Sequence, residues 1–522
     1  MPVAAFDTGP SRRTLPQALL DARDQFGGGK LILEDPERTP LSYDRLILGA
    51  LVLGKKLEAF SSPGKPMAIL LPNVNGIAVT LFGLLFHGIT PVLLNFTAGL
   101  KNLRSACETG EIGVIVTSRR FVDTAKLDDV VQGLSEGRTI VYLEDVRKSI
   151  GALDKITGLV RSKFARSIAT RACRNPDAAA VILFTSGSEG LPKGVVLSHA
   201  NIIANALQIW QHAKGMLTSD DVAFNPLPVF HSFGLTAGTI LGLLNGMKVV
   251  FYPSPLHYKQ VPKLIAETKA SLLFSTDTFL VGYGRAADEG DLAGIRIVVT
   301  GAEKVKDATR KLWEPIGALI LEGYGCTECS PVLACNTPDD NRLGSVGKLL
   351  PGIEARLDPV EGISEGGKLV VRGVNVMAGY LFADQPGVLQ PPAAGWHDTG
   401  DIVDLDDDGF VTIKGRAKRF AKLGGEMVSL AAVETLASNL WPGTTHVAVS
   451  LPDPKKGEQI VLVSDDPNAD RAALLAYARK TGTPELYVPR AILSVSAIPV
   501  LGSGKVDFAG TTELVKTMRS LI

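Results

Sequence analysis

Up to Gly325 the chain alternates short apolar runs with helical patterns, and this rhythm constrains its fold more than any other feature. KPMAILLP reads as a strand and GIAVTLFGLLFHG as the helix after it; TPVLLNF, LKNLRSACETG and IGVIVTS continue as strand, helix, strand. The rhythm returns in AAAVILFT and MKVVFYP, and again through ASLLFST, IRIVVTGAE and ALILEGYG. Strands separated by helices pair in parallel, so a largely parallel sheet covered by helices is expected. The most apolar stretch, Gly76 to Phe86, is too short to span a bilayer and reads as a buried helix. The first residues, MPVAAFDTGPSRRTL, lack the apolar core of a signal peptide. A soluble, cytoplasmic protein is expected, with peripheral membrane contact left open.

From about Gly344 the character changes. EARLDP, GKLVVRG and DIVDLDDDGFVTIKGR are short alternating strands with tight turns, the pattern of an antiparallel sheet, with DDDGF as a hairpin turn. A basic stretch, GRAKRFAKLGGE, then leads into helix SLAAVETLASNL, strands HVAVSL and QIVLVS, helix DRAALLAYARK and strand RAILSV. The boundary falls near Lys418. The expected fold is α/β: a large N-terminal part, 1–417, of helix-flanked sheets with a small antiparallel subdomain, then a small α+β domain, 418–522.

Among 522 residues, 54 Lys and Arg balance 54 Asp and Glu. A nucleic-acid binder would show a basic excess, so that partner class is set aside. The five cysteines are too few and too odd in number for a disulfide framework. Cys326-x-x-Cys329 has no second Cys/His pair at ligand spacing and reads as two small buried residues.

The loop after strand AAAVILFT runs TSGSEGLPKGVV. Glycines let backbone N–H groups turn inward around an anion, Ser and Thr hydroxyls add donors, and Lys193 adds a mobile charge. Pro192 and Gly194 flank that lysine, so the loop is not a Walker A motif. No G-x-S-x-G is present, so it is not a serine-hydrolase elbow either. Ser198-His199-Ala200-Asn201 begins a helix with Ser198 as its cap.

Thr185 to Gly194 resembles the phosphate loop of the AMP-forming acyl- and aryl-adenylate enzymes, the ANL superfamily of acyl-CoA synthetases, luciferases and peptide-synthetase adenylation domains. GYGCTE, HDTGD, GRAKRFAKLGGEMVS and GSGK resemble that family's further motifs, in its order and over nearly the whole chain. LPVFHSFGLT, YPSPLHY, VTGAEKV and LEGYGCTECSPV resemble more closely the synthetase half of the bifunctional 2-acylglycerophosphoethanolamine acyltransferase/acyl-acyl carrier protein synthetases. The acyltransferase of those proteins carries His-x-x-x-x-Asp, and none of the seven histidines here has Asp five residues on.

The resemblance implies an ATP- and Mg2+-dependent ligase. Thr185, Ser186, Gly187, Ser188, Gly190 and Lys193 would cradle the β- and γ-phosphates. Glu328, with Thr185, would ligate magnesium, and Thr327 would hydrogen-bond the α-phosphate. Tyr324 would stack on adenine, with Gly301, Ala302 and Glu303 as the opposite wall. Asp401, reinforced by Arg416, would accept from the ribose hydroxyls, and Lys505 would stabilise charge at the α-phosphate. Lys418 would be the hinge of a mobile C-terminal domain, and Gly425 would line the pantetheine tunnel. His231 and Phe233 match the acyl-site motif; the run LTAGTILGLLNG after them reads equally as tunnel lining or packed helix. Arg419 and Ala432 stand where many relatives carry acids. Arg416, Lys418, Arg419 and Lys422 would then form a basic cluster suited either to docking acidic holo-acyl carrier protein or to plain solvation. The expected function is activation of a medium- or long-chain fatty acid and its transfer to acyl carrier protein. The alternatives are CoA as acceptor, or a lysophospholipid acyltransferase component with a separate partner.

Overall fold

The alternating apolar runs pair into two large sheets. In the first, the order is Gln385–Gln390, Gly379–Phe382, Lys193–Ser198, Ala179–Thr185, Thr90–Leu93, Pro66–Ile69, Val114–Thr117, Thr139–Tyr142. The last five run parallel, and the first three extend the sheet antiparallel. The second sheet is parallel through its centre, from Leu319–Gly325 through Ile297–Thr300, Leu272–Ser275, Val222–Asn225 and Lys248–Phe251 to Leu31–Glu34, with antiparallel strands at both edges. Gly76 to Phe86 lies within a buried helix, Asn75–Leu85, and its C-cap. Burial of such runs on both sheet faces drives the collapse.

The structure is a computed structural model that describes residues 4–61, 64–185, 191–363, 365–423, 426–453, 457–500 and 506–520. Contacts divide the chain into two units: Met1–Glu354 with Arg372–His397, and Ala355–Val371 with Asp398–Ile522. The first holds both large sheets. The second holds a sheet ordered Glu354–Asp358, Gly367–Arg372, His397–Leu405, Val411–Arg416, and a five-stranded sheet in which only Ala491–Ser494 runs parallel to its neighbour. Helix Leu430–Leu440 covers that sheet through Val433, Leu436 and Ala437. Among the described residues, no helix is long and apolar enough to cross a membrane.

Local signals hold up where the cause is local. Ser198 caps helix His199–His212: its hydroxyl accepts from the Asn201 N–H at 3.1 Å while Asn201 Oδ1 accepts from the Ser198 N–H at 2.8 Å. DDDGF is a hairpin turn, with Gly409 at φ +87° and Asp406 accepting from the Phe410 N–H. One difference is that KGVVLS is a strand, placed between the phosphate-type loop and the capped helix.

Candidate active site

Ser186, Gly187, Ser188, Gly190, Gly425 and Lys505 lie outside the described residues. Their neighbours fix where the loop begins and ends. Thr185 closes strand Ala179–Thr185, Lys193 opens Lys193–Ser198, and the two face each other as register partners. Lys193 Nζ lies over two aromatic rings, 5.3 Å from Tyr380 and 5.5 Å from Phe382. Those rings stand on Gly379–Phe382, which pairs antiparallel with the lysine's own strand. Cation–π contact with both rings positions the ammonium.

The Tyr380 hydroxyl donates to Glu328 Oε1 at 2.7 Å. Burial, with the Glu328 charge next, pushes the Tyr380 phenol well above its ordinary value, so it stays a donor. Glu328 sits in a short 3-10 turn, Thr327–Cys329. The turn is pinned on several sides. Met377 N–H donates to the Glu328 carbonyl at 2.7 Å, Asn375 to the Cys329 carbonyl at 2.8 Å, and Ser232 Oγ lies 3.4 Å from Thr327 Oγ1. A Cβ on Gly325 would come within 1.9 Å of the Pro331 carbonyl oxygen, so only glycine fits there. Lys193, Tyr380 and Glu328 therefore meet from three distant segments. Tyr380 carries no spacing signal, and the sequence reading missed it.

Tyr324 is buried, 8% exposed. Gly301 is buried against the Phe233 ring, and Ala302 adopts φ +69°. The Glu303 carboxylate accepts from the backbone N–H and hydroxyl of Thr278, at 3.0 and 2.8 Å, in the first turn of helix Asp277–Ala286. His231 is half-buried with its ring 4.7 Å from Phe230, which in turn meets Phe96 at 5.0 Å. Phe233 opens a π-helix, Phe233–Ile240, and meets Phe274 edge-on. A Cβ on Gly234 would lie 2.4 Å from the Leu227 and Pro228 carbonyl oxygens. The run after Phe233 is packed helix: Gly234 to Ile240 are buried, and Asn225 holds the first turn by donating to the Gly234 carbonyl.

Cys326, Cys329 and His397 bring one donor atom each within 4.8 Å of one another. The sequence search passed over His397 because it lies far along the chain. A zinc tetrahedron needs S···S edges of about 3.8 Å, and the turn is pinned as above. The Cys326 thiol instead hydrogen-bonds Cys329 and His397; the Cys329 bond, followed by burial, pushes it well above its ordinary value. The Cys326 thiol is therefore held protonated beside Cys329 and His397.

In the second unit, antiparallel register sets Asp401 opposite Arg416. Arg416 Nε lies 2.8 Å from Asp401 Oδ1, and its Nη1 donates to the Thr399 carbonyl at 3.0 Å. Asp401 is 3% exposed. Of the basic cluster expected nearby, Arg416, Arg419 and Lys422 each pair with an acid. Arg419 donates to Glu434 Oε1 at 2.6 Å and stacks on Phe508 at 3.6 Å, and Lys422 pairs with Glu361 at 2.9 Å. Burial raises the Glu434 carboxyl, opposed by the Arg419 charge. Arg419 is thus an internal counter-ion, and Ala432 lies in the first turn of the helix Ser429 caps.

The AMP-binding enzyme family matches residues 22–381. A 3-[(3aS,4S,7aS)-7a-methyl-1,5-dioxo-octahydro-1H-inden-4-yl]propanoyl:CoA ligase of Rhodococcus jostii (strain RHA1) is 29% identical, over 94% of this chain and 97% of the relative. The mitochondrial medium-chain acyl-CoA ligase ACSF2 of Mus musculus is 30% identical, over 62% of this chain and 56% of its own length. Among solved structures, the anthranilate CoA ligase AuaEII in complex with anthranoyl-AMP superposes with a TM-score of 0.80 at 20% identity, covering 99% of this chain and 100% of that one.

Proposed function

The chain belongs to the AMP-binding enzyme family, and from that premise we propose that it activates a fatty acid with ATP and passes the acyl group to the thiol of coenzyme A. A carboxylate oxygen attacks the α-phosphorus, the bond to the β-phosphate bridge breaks, and pyrophosphate leaves. The thiol sulfur then attacks the acyl carbon, loses its proton, and AMP departs. The mixed anhydride turns a poor acyl donor into a good one.

The observation that carries this reading is the convergence of Lys193, Tyr380 and Glu328. A lysine held over aromatic faces places its ammonium at the exit of the phosphate-type loop. Magnesium, when bound, supplies neutralisation of phosphate charge; Glu328, a hard carboxylate oriented by Tyr380, and the Thr185 hydroxyl suit it as ligands. Thr327 hydrogen-bonds the α-phosphate. Tyr324 and the Gly301-Ala302-Glu303 backbone hold adenine, and Asp401, its charge fixed by Arg416, accepts from the ribose hydroxyls. Ser186, Gly187, Ser188 and Gly190 donate to the outer phosphates, and Lys505 meets the charge that develops at the α-phosphate. Lys418 is the hinge between 1–417 and 418–522, and Gly425 passes the thiol. The aromatic group around Phe230, His231 and Phe233 favours an apolar acyl chain.

Coenzyme A replaces carrier protein as the favoured acceptor for two reasons. The relatives above are named as CoA ligases. Three of the four cations that suggested carrier-protein docking, Arg416, Arg419 and Lys422, are engaged with Asp401, Glu434 and Glu361. The test is incubation with ATP, magnesium and a fatty-acid series, in parallel with CoA or phosphopantetheinylated carrier protein. AMP release with thioester on CoA is expected. Thioester on carrier protein alone restores the other acceptor, and absence of AMP with every acid defeats the fatty-acid reading.

A further inference from the structure

Helix Ala152–Lys163 is packed the wrong way round for a globular surface. Its polar side faces the protein: Asp154 pairs with Lys56 at 2.8 Å, and Arg161 Nη2 meets His87 Nε2 at 2.8 Å. Gly158 is buried beneath the helix, where a Cβ would come within 2.3 Å of Val52 Cγ2. The apolar side faces water. Leu153, Ile156, Leu159, Val160 and Phe164 are each between 54% and 78% exposed. At helical spacing these five cover an arc of about 140°. A soluble helix buries that stripe, and an exposed one marks a contact surface.

The surrounding charge selects the contact. From Arg147 to Arg174 the segment carries eight Lys and Arg (147, 148, 155, 161, 163, 166, 171 and 174) against one acid, Asp154, in a chain whose formal charge is zero. Arg147, Lys148, Lys155, Lys163, Arg171 and Arg174 are exposed. Lys163 lies within the apolar arc and Lys155 at its edge, where long stems let the ammonium groups reach outward beside buried neighbours. A convex apolar ridge set in a basic field has the composition of a helix lying in the interface of an anionic bilayer.

We propose that helix Ala152–Lys163 docks this protein on anionic lipid, with Leu153, Ile156, Val160 and Phe164 entering the acyl boundary and Lys155 and Lys163 meeting the headgroups. None of these side chains is among the residues assigned to ATP, and binding to lipid needs no substrate.

The test is flotation of the full-length protein with vesicles of phosphatidylcholine alone or mixed with phosphatidylglycerol, at low and high salt, without ATP or fatty acid. Binding to the anionic vesicles, reduced by salt, is expected, with at least a tenfold loss in Ile156→Glu and in Phe164→Glu. Lys155→Glu with Lys163→Glu should lose most of the preference for anionic over neutral lipid. These side chains are exposed, so the variants should keep the wild-type melting temperature and AMP release with a water-soluble short-chain acid. Phe164→Trp offers a second readout, a blue-shifted emission on vesicle addition. No binding to anionic vesicles, or equal binding by wild type and Ile156→Glu, overturns the proposal. So does wild-type self-association abolished by Ile156→Glu without vesicle binding, which would make the face a contact between copies of the chain.

Discussion

Among the described residues, the Tyr380 phenol orients the Glu328 carboxylate. Tyr380→Phe keeps the ring beneath Lys193 and removes only the donor. Losing one hydrogen bond to a charged group costs about 1.5–3 kcal/mol at most. The expected outcome is a roughly tenfold rise in the magnesium and ATP concentrations for half-maximal rate, with kcat little changed at saturation; a steady-state titration of both reads it directly. Arg419 answers to a different balance. Removing it leaves Glu434 buried without its counter-ion, a loss of about 3–5 kcal/mol for a fully buried pair and less for this partly wetted one. Arg419→Ala should therefore lower the denaturant midpoint of the second unit, while Arg419→Ala with Glu434→Gln recovers much of the loss. At this scale the sequence names residue types and misses partners. The Tyr380–Glu328 bond joins positions 52 apart, and the Arg419–Glu434 pair joins positions 15 apart across separate elements. Neither spacing repeats a helix or strand period, so neither leaves a trace in the pattern.

Helix His199–His212 begins on a titratable anchor. His199 is buried, and its Nδ1 accepts from the Leu15 N–H at 3.1 Å, which places the ring proton on Nε2. Burial lowers its pKa from the ordinary 6.5 to about 4. Between those values the unfolded chain takes up a proton that the folded chain refuses. Stability is therefore present above pH 6.5 and is lost as pH falls toward 4, by up to about 3 kcal/mol for this group. Urea unfolding across that range should show the loss, with a shallower slope in His199→Gln; an unchanged slope would clear His199 of the effect. Elements themselves are well read from sequence where caps, turns and periods are local, as at Ser198 and at the Asp406–Phe410 hairpin. Two cases escape. The strand Lys193–Ser198 follows a glycine-rich loop too closely to show an independent signal. Helix Ala152–Lys163 shows a further limit: periodicity reveals that a helix has two faces, and only its neighbours decide which one turns inward.

For the whole molecule, the order of elements is legible and their neighbours are not. Leu33 pairs with Val249 in one sheet, a register no local pattern announces. The motifs that mark the chemistry are likewise scattered along the chain, legible because each keeps its own short form. Lys505 belongs to the last of them, in a segment flanked by Val500 and Val506, which pair antiparallel. Lys505→Ala should slow adenylate formation by roughly two to three orders of magnitude, the usual cost of one donor aimed at developing charge. Thioester formation from supplied acyl-AMP should be largely spared. Pyrophosphate exchange reads the first step and thiol consumption the second; equal loss in both would place Lys505 outside this division of labour.

Thr185 and Lys193 share one rung of an antiparallel ladder, so the loop between them leaves from and returns to a fixed gap. Closing such a loop costs little more as it lengthens, since the entropy grows only with the logarithm of its length. The segment is in effect an interchangeable cartridge. Its composition and length are free to drift under selection for a different anion, while the socket, the lysine at its exit and the strand beyond keep their places.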